Sequence, residues 1–336
     1  MQDLIDELDD NLDDLEPIVD NPAELYEHFR VVVDKGQKQV RIDKYLFERL
    51  VNSSRNRIQK AADAGFVMAN GKPVKSSYKV KPNDVLTLML DRPRYENDII
   101  PEDIPLNIVY EDDDLMVINK PAGLVVHPGC GNYHGTLVNA IAWHLKDNPK
   151  YDPNDPQVGL VHRIDKDTSG LLVVAKTPDA KTHLGLQFFN KTTKRKYNAV
   201  VWGTVEKDEG TIVGNIGRNP KDRMQMAVLS DPDQGKHAVT HYKVLERLGY
   251  VTLVECVLET GRTHQIRVHL SSIGHFVLGD LVYGRAVPHF NVDFEGQCLH
   301  ARVLGFDHPI TGEHMIFESP LPEYFKKVLT KLERME

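Results

Sequence analysis

Two hydrophobic periods alternate along the chain. RIDKYLFERLVN (41–52) places Ile42, Tyr45, Leu46 and Leu50 at helical spacing. SRNRIQKAADAG (54–65) reads as a second helix, with Ser53 or Ser54 as its cap and Gly65 as its stop. FVMANGKPV then reads as a hairpin around Asn70-Gly71, a dipeptide that accepts the positive φ angles of a tight turn. YKVKPNDVLTLML supplies one further strand. After a charged, proline-bearing stretch, DRPRYENDIIPEDIPL (91–106), strand patterns dominate: LMVINK, GLLVVAK, YNAVVWG, TIVGNIG, AVTHYKVLE and YVTLVECVLE. Helical patterns interrupt them at GTLVNAIAWHL, at AKTHLGLQFFN and at THQIRVHLSSIG, the last with Thr263 as cap and Gly274 as stop. Strands outnumber helices without strict alternation, which predicts an α+β fold with a mainly antiparallel sheet rather than a doubly wound one.

These patterns divide the 336 residues into an acidic, disordered arm (1–37), a small α+β module (38–90), a linker (91–106) and one large domain (107–330). No run approaches the ~18 apolar residues of a membrane span. MQDLIDELDD has neither the basic start nor the apolar core of a signal peptide. Cys130, Cys256 and Cys298 are too scattered for a disulfide framework or a zinc pair, so a reducing cytoplasm is expected. No sustained heptad or apolar stripe calls for a partner copy, and a monomer is expected.

Charge sharpens this picture. The net charge of −8 hides an uneven distribution. Residues 1–30 hold 11 acidic residues against Arg30 alone, whereas residues 31–90 hold 12 Lys/Arg against 5 Asp/Glu. Positive charge concentrated in the small module, with Arg55, Arg57 and Lys60 on the polar side of its second helix, suits phosphate contacts. The module resembles the ribosomal S-four-type RNA-binding module.

Dinucleotide, phosphate-loop and H-E-x-x-H motifs are absent, and His264 and His269 lie five apart, wrong for one helix face. Chemistry without cofactor or metal is therefore expected. Three segments can supply it: VGLVHRIDKDTSG offers Asp165, TKRKYNAVVWG offers Tyr197 among Lys194, Arg195 and Lys196, and ETGRTHQIRVHL offers Arg262 and Arg267. Ile266, Leu270 and Ile273 form the apolar stripe of the last helix, with Arg267 at its edge, able to reach a partner carboxylate. Each residue alone has an ordinary surface reading. Together they make a usable site: a carboxylate kept ionised by a guanidinium serves as nucleophile, and a tyrosine ring stacks on a base.

HRIDKDTSG, KRKYNAVVWG and TGRTHQIRVHL resemble, in order, the aspartate, tyrosine and arginine motifs of the RNA pseudouridine synthases that modify ribosomal RNA. INKPAGLVVHPGCGNYHGTLVNA, LGDLVYG and LHARVLGFDHPITGE fit as well, and the resemblance runs from about residue 38 to 325. It implies a mixed-sheet catalytic domain of that family. Asp165 would be the nucleophile, with Arg267 holding it charged and Tyr197 against the uracil. Arg163 would fill the space left by the flipped uridine. Arg218, Lys221 and Arg223 of NIGRNPKDRMQMAV, and Arg262, are expected to contact RNA as well. The N-terminal module with the HPGCGNYHGT loop is similar to the branch acting on the helix 69 stem-loop of large-subunit (23S) rRNA, so the implied partner is that RNA or a pre-ribosomal particle. Ile164 in place of leucine, Cys130 in place of alanine and a long acidic arm are departures from the family pattern. Other rRNA or tRNA uridines, a nucleoside hydrolase and a non-catalytic RNA-binding assembly factor are the alternatives left open by sequence.

Overall fold

The computed structural model describes residues 26–50, 55–90, 99–128, 132, 134–153, 155, 157–222, 225–231, 233–284 and 296–333. They fall into two units, divided between the described stretches ending at 90 and starting at 99.

The first unit is a four-stranded antiparallel sheet with two helices. Its strands are β1 (Tyr26–Val32), β2 (Val67–Ala69), β3 (Lys72–Pro73) and β4 (Val85–Leu90), in the order β1-β4-β2-β3. Helices α1 (Ile42–Phe47) and α2 (Arg55–Asp63) bury Ile42, Tyr45, Leu46 and Ile58 against Val67 and Leu86. Asn70 (φ 51°) and Gly71 (φ 77°) make the tight turn read from the sequence. Two expectations change. The acidic arm does not extend to residue 37, because Tyr26–Val32 pairs along β4, with Phe29 and Val31 packing on the core. The strand expected from Tyr78 begins only at Val85: Pro82 offers no amide donor, Asn83 sits at φ 67°, and Asp84 ties the turn to Tyr78 and the Lys81 amide. The suggested caps Ser53 and Ser54 lie outside the described residues.

The second unit is built on a ten-stranded sheet. Its strands are β5 (Ile108–Glu111), β6 (Leu115–Lys120), β7 (Ser169–Ala175), β8 (Lys194–Trp202), β9 (Glu209–Arg218), β10 (Met226–Leu229), β11 (Lys236–Leu248), β12 (Val251–Leu258), β13 (Leu299–Asp307) and β14 (His314–Glu318). The order is β10-β9-β11-β12-β8-β13-β7-β6-β5, with β14 on β13. Among the described residues only β7 and β13 run parallel, so the mixed, mainly antiparallel sheet is as the sequence suggests. GLLVVA is buried along its whole length, as its unbroken apolar run implied. Helices α3 (Leu137–Leu145), α4 (Pro178–Phe189), α5 (Gln265–Ser272) and α6 (Glu323–Glu333) pack on it. The last had no place in the sequence reading; it buries Tyr324, Phe325, Val328 and Leu332. The expected linker also shortens. Residues 91–98 lie outside the described residues, but Ile99 and Leu106 pack on the main core and Glu102 accepts the Gly135 amide.

The parallel crossing is tight. Gly170 pairs with Ala301 at φ 119°, and a Cβ there would lie 2.3 Å from the Ala301 carbonyl oxygen. Both the conformation and the space exclude a side chain. Gly170→Ala is expected to destabilise this unit by about 2 kcal/mol or more, read as a lowered midpoint in denaturant unfolding; an unchanged midpoint would contradict the close approach.

Candidate active site

A cleft of about 190 Å³ opens in the second unit, and Asp165, Tyr197 and Arg267 all line it. They come from three elements far apart in sequence: the loop before β7, the middle of β8, and the first turns of α5. The sheet order β8-β13-β7 brings the first two within one strand of each other.

Arg267 is the hinge of the site. Its Nη1 donates to Asp165 Oδ2 at 2.9 Å, while Nε and Nη2 donate to the two oxygens of Asp280 at 2.7 and 2.9 Å. The guanidinium thus forms a two-bond fork with one carboxylate and keeps a third donor for the other. Exposure separates the two acids: the Asp280 side chain is 0% exposed, that of Asp165 20%. Only Asp165 is open to a ligand. Burial alone would raise its carboxyl pKa, but the charges of His264, Arg267 and Arg163 and the hydrogen bond from Arg267 hold it below the ordinary carboxylate value. Burial in turn pushes the His264 pKa down, and Arg267 is the countercharge hydrogen-bonded directly to Asp165. Asp280 and Asp165 in turn raise the pKa of Arg267 against the effect of its burial.

The expected cap of α5 is corrected. His264, not Thr263, holds the cap position, at φ 55°, and its Nδ1 shares a hydrogen bond with the Tyr283 hydroxyl at 2.8 Å. The turn before it is closed from inside the helix: Gln265 Oε1 accepts from the Arg262 amide and the Thr260 hydroxyl. Gly274 (φ 89°) ends the helix as expected, while Ile273 is exposed rather than part of the buried stripe of Ile266 and Leu270. Tyr197 is buried with its ring on the cleft. Burial, with the charge of Asp165, raises its hydroxyl pKa against the opposing charge of Arg195.

The Asp165 loop is pinned from below. Lys120 is 1% exposed, and its Nζ donates to the carbonyls of Pro121, Leu124 and Lys166, each at 2.8 Å. The Gly123 amide also donates to Lys166, and Gln297 Nε2 donates to Thr168 Oγ1 at 2.7 Å. Burial pulls the Lys120 pKa down to about 7. His162 lies under the loop, stacked on Phe188 at 4.3 Å, and its Nε2 accepts the Val173 amide. Burial and the charge of Arg195 push its pKa down to about 3, so it is neutral.

The remaining expected RNA contacts are divided between the two units. Arg163 is exposed on the cleft, and Arg262 lines it with Nε on the His237 carbonyl at 3.1 Å. Arg218 ends β9 and Lys221 is exposed in the turn after it, neither lining the cleft; Arg223 lies outside the described residues. In the first unit Lys60 is exposed, and the Arg57 side chain lies outside the described residues. Arg55 is half committed: its Nε donates to Asp43, a buried carboxylate that also takes Arg41 and Gln59. Asp112, Asp114 and His308 have metal-ligand spacing, but Asp112 already accepts from the Asp114 and Leu115 amides, Tyr110 and His308, away from the cleft. Asp280, Lys120 and Gln297 escaped the sequence reading, and His264 entered it only as a dismissed metal ligand. Asp280 and Lys120 stand in segments that carried the resemblance, LGDLVYG and INKPAG, but nothing in their spacing ties them to Asp165.

Residues 114–272 match the RNA pseudouridylate synthase model, a stretch holding Asp165, Tyr197 and Arg267, and residues 40–86 match the S4 domain. An uncharacterised RNA pseudouridine synthase of Bacillus subtilis is 48% identical over 304 residues, 90% of this chain and 98% of that one. Ribosomal large subunit pseudouridine synthase D of Zymomonas mobilis is 44% identical over 290 residues, 84% of this chain and 90% of that one. Among solved structures, human RNA pseudouridylate synthase domain containing 4 superimposes with a TM-score of 0.54 at 27% identity, covering 67% of this chain and 92% of that one. The chain belongs to the RNA pseudouridine synthase family, a family of isomerases, with an S4 domain ahead of the catalytic fold.

Asp280→Asn keeps the shape of the buried partner but removes its charge. It is expected to lower stability by about 3 kcal/mol and turnover more than tenfold, with RNA affinity changed by less than a few-fold; unaffected turnover would remove Asp280 from the site's support. Lys120 gives a pH signature. Its folded pKa of about 7 lies below the ordinary lysine value, so between pH 7 and about 10 the folded chain sheds a proton that the unfolded chain keeps. Stability of the wild type relative to Lys120→Met should therefore rise with pH across that window, by up to ~1.4 kcal/mol per unit. A flat difference in denaturant unfolding at pH 6.5, 8 and 9.5 would show that Lys120 stays charged.

Proposed function

We propose that this chain converts uridine to pseudouridine in large-subunit ribosomal RNA, with the helix 69 stem-loop as target and Asp165 as nucleophile. The observation that carries the chemistry is the Asp165–Arg267 pair, an ionised and accessible carboxylate held on the floor of a cleft by a buried guanidinium. Ribosomal RNA as substrate is supported by relatives at 43–44% identity named as large-subunit synthases.

The target uridine leaves its stack at a cost of a few kcal/mol and enters the cleft. Arg163, exposed two residues from Asp165, fills the space behind it. Asp165 opens the bond between uracil N1 and the ribose, by attack at C1′ or by taking the 2′ proton; both need the ionised carboxylate that Arg267 maintains. The freed uracil turns against the Tyr197 ring and rejoins C1′ through C5, displacing the Asp165 ester in the first route and taking the 2′ proton back onto the ribose in the second. The C5 proton is lost, N1 takes up a proton, and nothing is consumed. The S4 module and the Arg218–Lys221 turn carry phosphate contacts that hold the RNA.

Tritium release from RNA labelled at uracil C5 tests both parts. Wild type should release label from 23S rRNA and from an isolated helix 69 stem-loop, and Asp165→Asn should bind the same RNA and release none. Release by both proteins would sink the nucleophile; release from 23S rRNA but not from the stem-loop would move the target elsewhere.

A further inference from the structure

Arg195 stands on β8 two residues before Tyr197, so both side chains project from the same face of the strand, and both line the cleft. The flanking lysines face the other way, where Lys196 pairs with Glu255 at 2.8 Å. Arg195 has no such partner. It is 9% exposed, its buried Nε lacks a hydrogen-bond acceptor, and among the described residues no carboxylate lies within ion-pair distance of its guanidinium. Its surroundings are the Phe188 ring, 5.5 Å from the guanidinium carbon, and the backbone of Gly261. A Cβ on Gly261 would come within 2.9 Å of Nη1, so the missing side chain is what gives the guanidinium its seat. Burial lowers the pKa of Arg195, and its charge suppresses protonation of His162, both costs of holding an uncompensated cation.

A folded chain keeps a buried, unpaired guanidinium where a ligand supplies the missing anion. We infer that Arg195 binds a backbone phosphate of the flipped nucleotide. This rests on the proposed function for the identity of the ligand. Asp165 is already matched by Arg267, itself forked on Asp280, so the cation of Arg195 is left for the substrate. A uracil carbonyl would accept a hydrogen bond but leave the charge uncompensated, whereas each nucleotide brings one phosphate with the bidentate geometry a guanidinium fork prefers. Two residues along a strand span about 7 Å, so a base lying on Tyr197 sets Arg195 level with the backbone of the same nucleotide. Arg195 is then a binding residue of the site, one that selects a uridine already turned out of its helix because only then does its phosphate reach so deep.

The test is a binding cycle with helix 69 stem-loop RNAs carrying a single methylphosphonate beside each uridine in turn, measured with wild type, Arg195→Gln and Arg195→Lys. Arg195→Gln should bind unmodified RNA about 10- to 100-fold more weakly, with a salt slope shallower by roughly 0.7–0.9. One neutral linkage should cost wild type a similar factor and cost Arg195→Gln nothing, with Arg195→Lys between them. Equal methylphosphonate penalties in all three proteins would overturn the assignment. So would a loss of sensitivity that instead follows replacement of the target uracil by 2-pyrimidinone, which would place the contact on a base carbonyl. A fall in thermal midpoint for Arg195→Gln with no change in RNA affinity would mark a packing role and overturn it too. If Arg195→Gln does not fold, Arg195→Lys carries the same comparison. Because binding is the readout, RNA that is bound but not isomerised would end the functional reading without touching this one.

Discussion

One guanidinium shared by two carboxylates sets the architecture of the cleft. Asp280 is over-determined: it takes two donors from Arg267 and the amides of Val282 and Tyr283, all within hydrogen-bond distance and out of solvent. It cannot turn away, so Arg267 cannot either, and its remaining donor marks one fixed point where Asp165 must lie. The cost of burying this triad is offset only while every lone pair is matched. The same condition keeps Asp165 charged, so the stability of the triad and the charge of Asp165 share one cause. The Tyr283 ring closes the arrangement, with the Arg267 guanidinium 5.0 Å from its centre and its hydroxyl on His264.

The other half of the geometry is set by backbone. Asp165 sits on a loop that regular structure cannot hold, because β7 begins only at Ser169. Three donors fasten it: Lys120 and Gly123 at the Lys166 carbonyl, and Gln297 at Thr168. None of them belongs to the loop itself, so the tertiary structure adds to the loop's own turn, in which the Thr168 amide donates to the Asp165 carbonyl at 3.1 Å. The close parallel approach of β7 and β13 at Gly170 ties that tertiary structure to the strand carrying Gln297's neighbours. Asp165 is therefore held rigidly, with little reorganisation left for binding a ligand.

Periodicity was enough for the sheet. Runs such as GLLVVA and YNAVVW could only be strands, and their excess over helices fixed the fold class. It was not enough for order within the sheet, which places β13, from the far end of the chain, between β7 and β8. The site followed the same division. Asp165, Tyr197 and Arg267 carried motifs and were legible. Asp280 and Lys120 were not, since their meaning is a contact across 13 residues in one case and 46 in the other, invisible to spacing rules. Chain ends of elements failed for local reasons: Thr263 looked like a cap until Gln265 took that work from inside the helix. The reach of the acidic arm was misjudged because charge average outweighed the short apolar alternation of Phe29 and Val31.

The overall charge of −8 and a polyanionic substrate are reconciled by location. Asp165 and Glu259 line the cleft, Arg267 pairs with Asp165, and Arg163, Arg195 and Arg262 add three further guanidinium groups on its walls. The cleft is therefore cationic although the chain is not. A field of that sign concentrates a phosphate backbone beside Asp165. It also separates the cations by role. Arg267 faces Asp165, Arg163 stands exposed at the surface, and Arg195 lies deep, where no carboxylate among the described residues meets it. An acid that must stay ionised beside a polyanion needs its own countercharge kept out of the polyanion's reach. The buried Asp280–Arg267 fork does that, since the phosphates can compete for the outer arginines but not for one whose other bonds are sealed behind the helix.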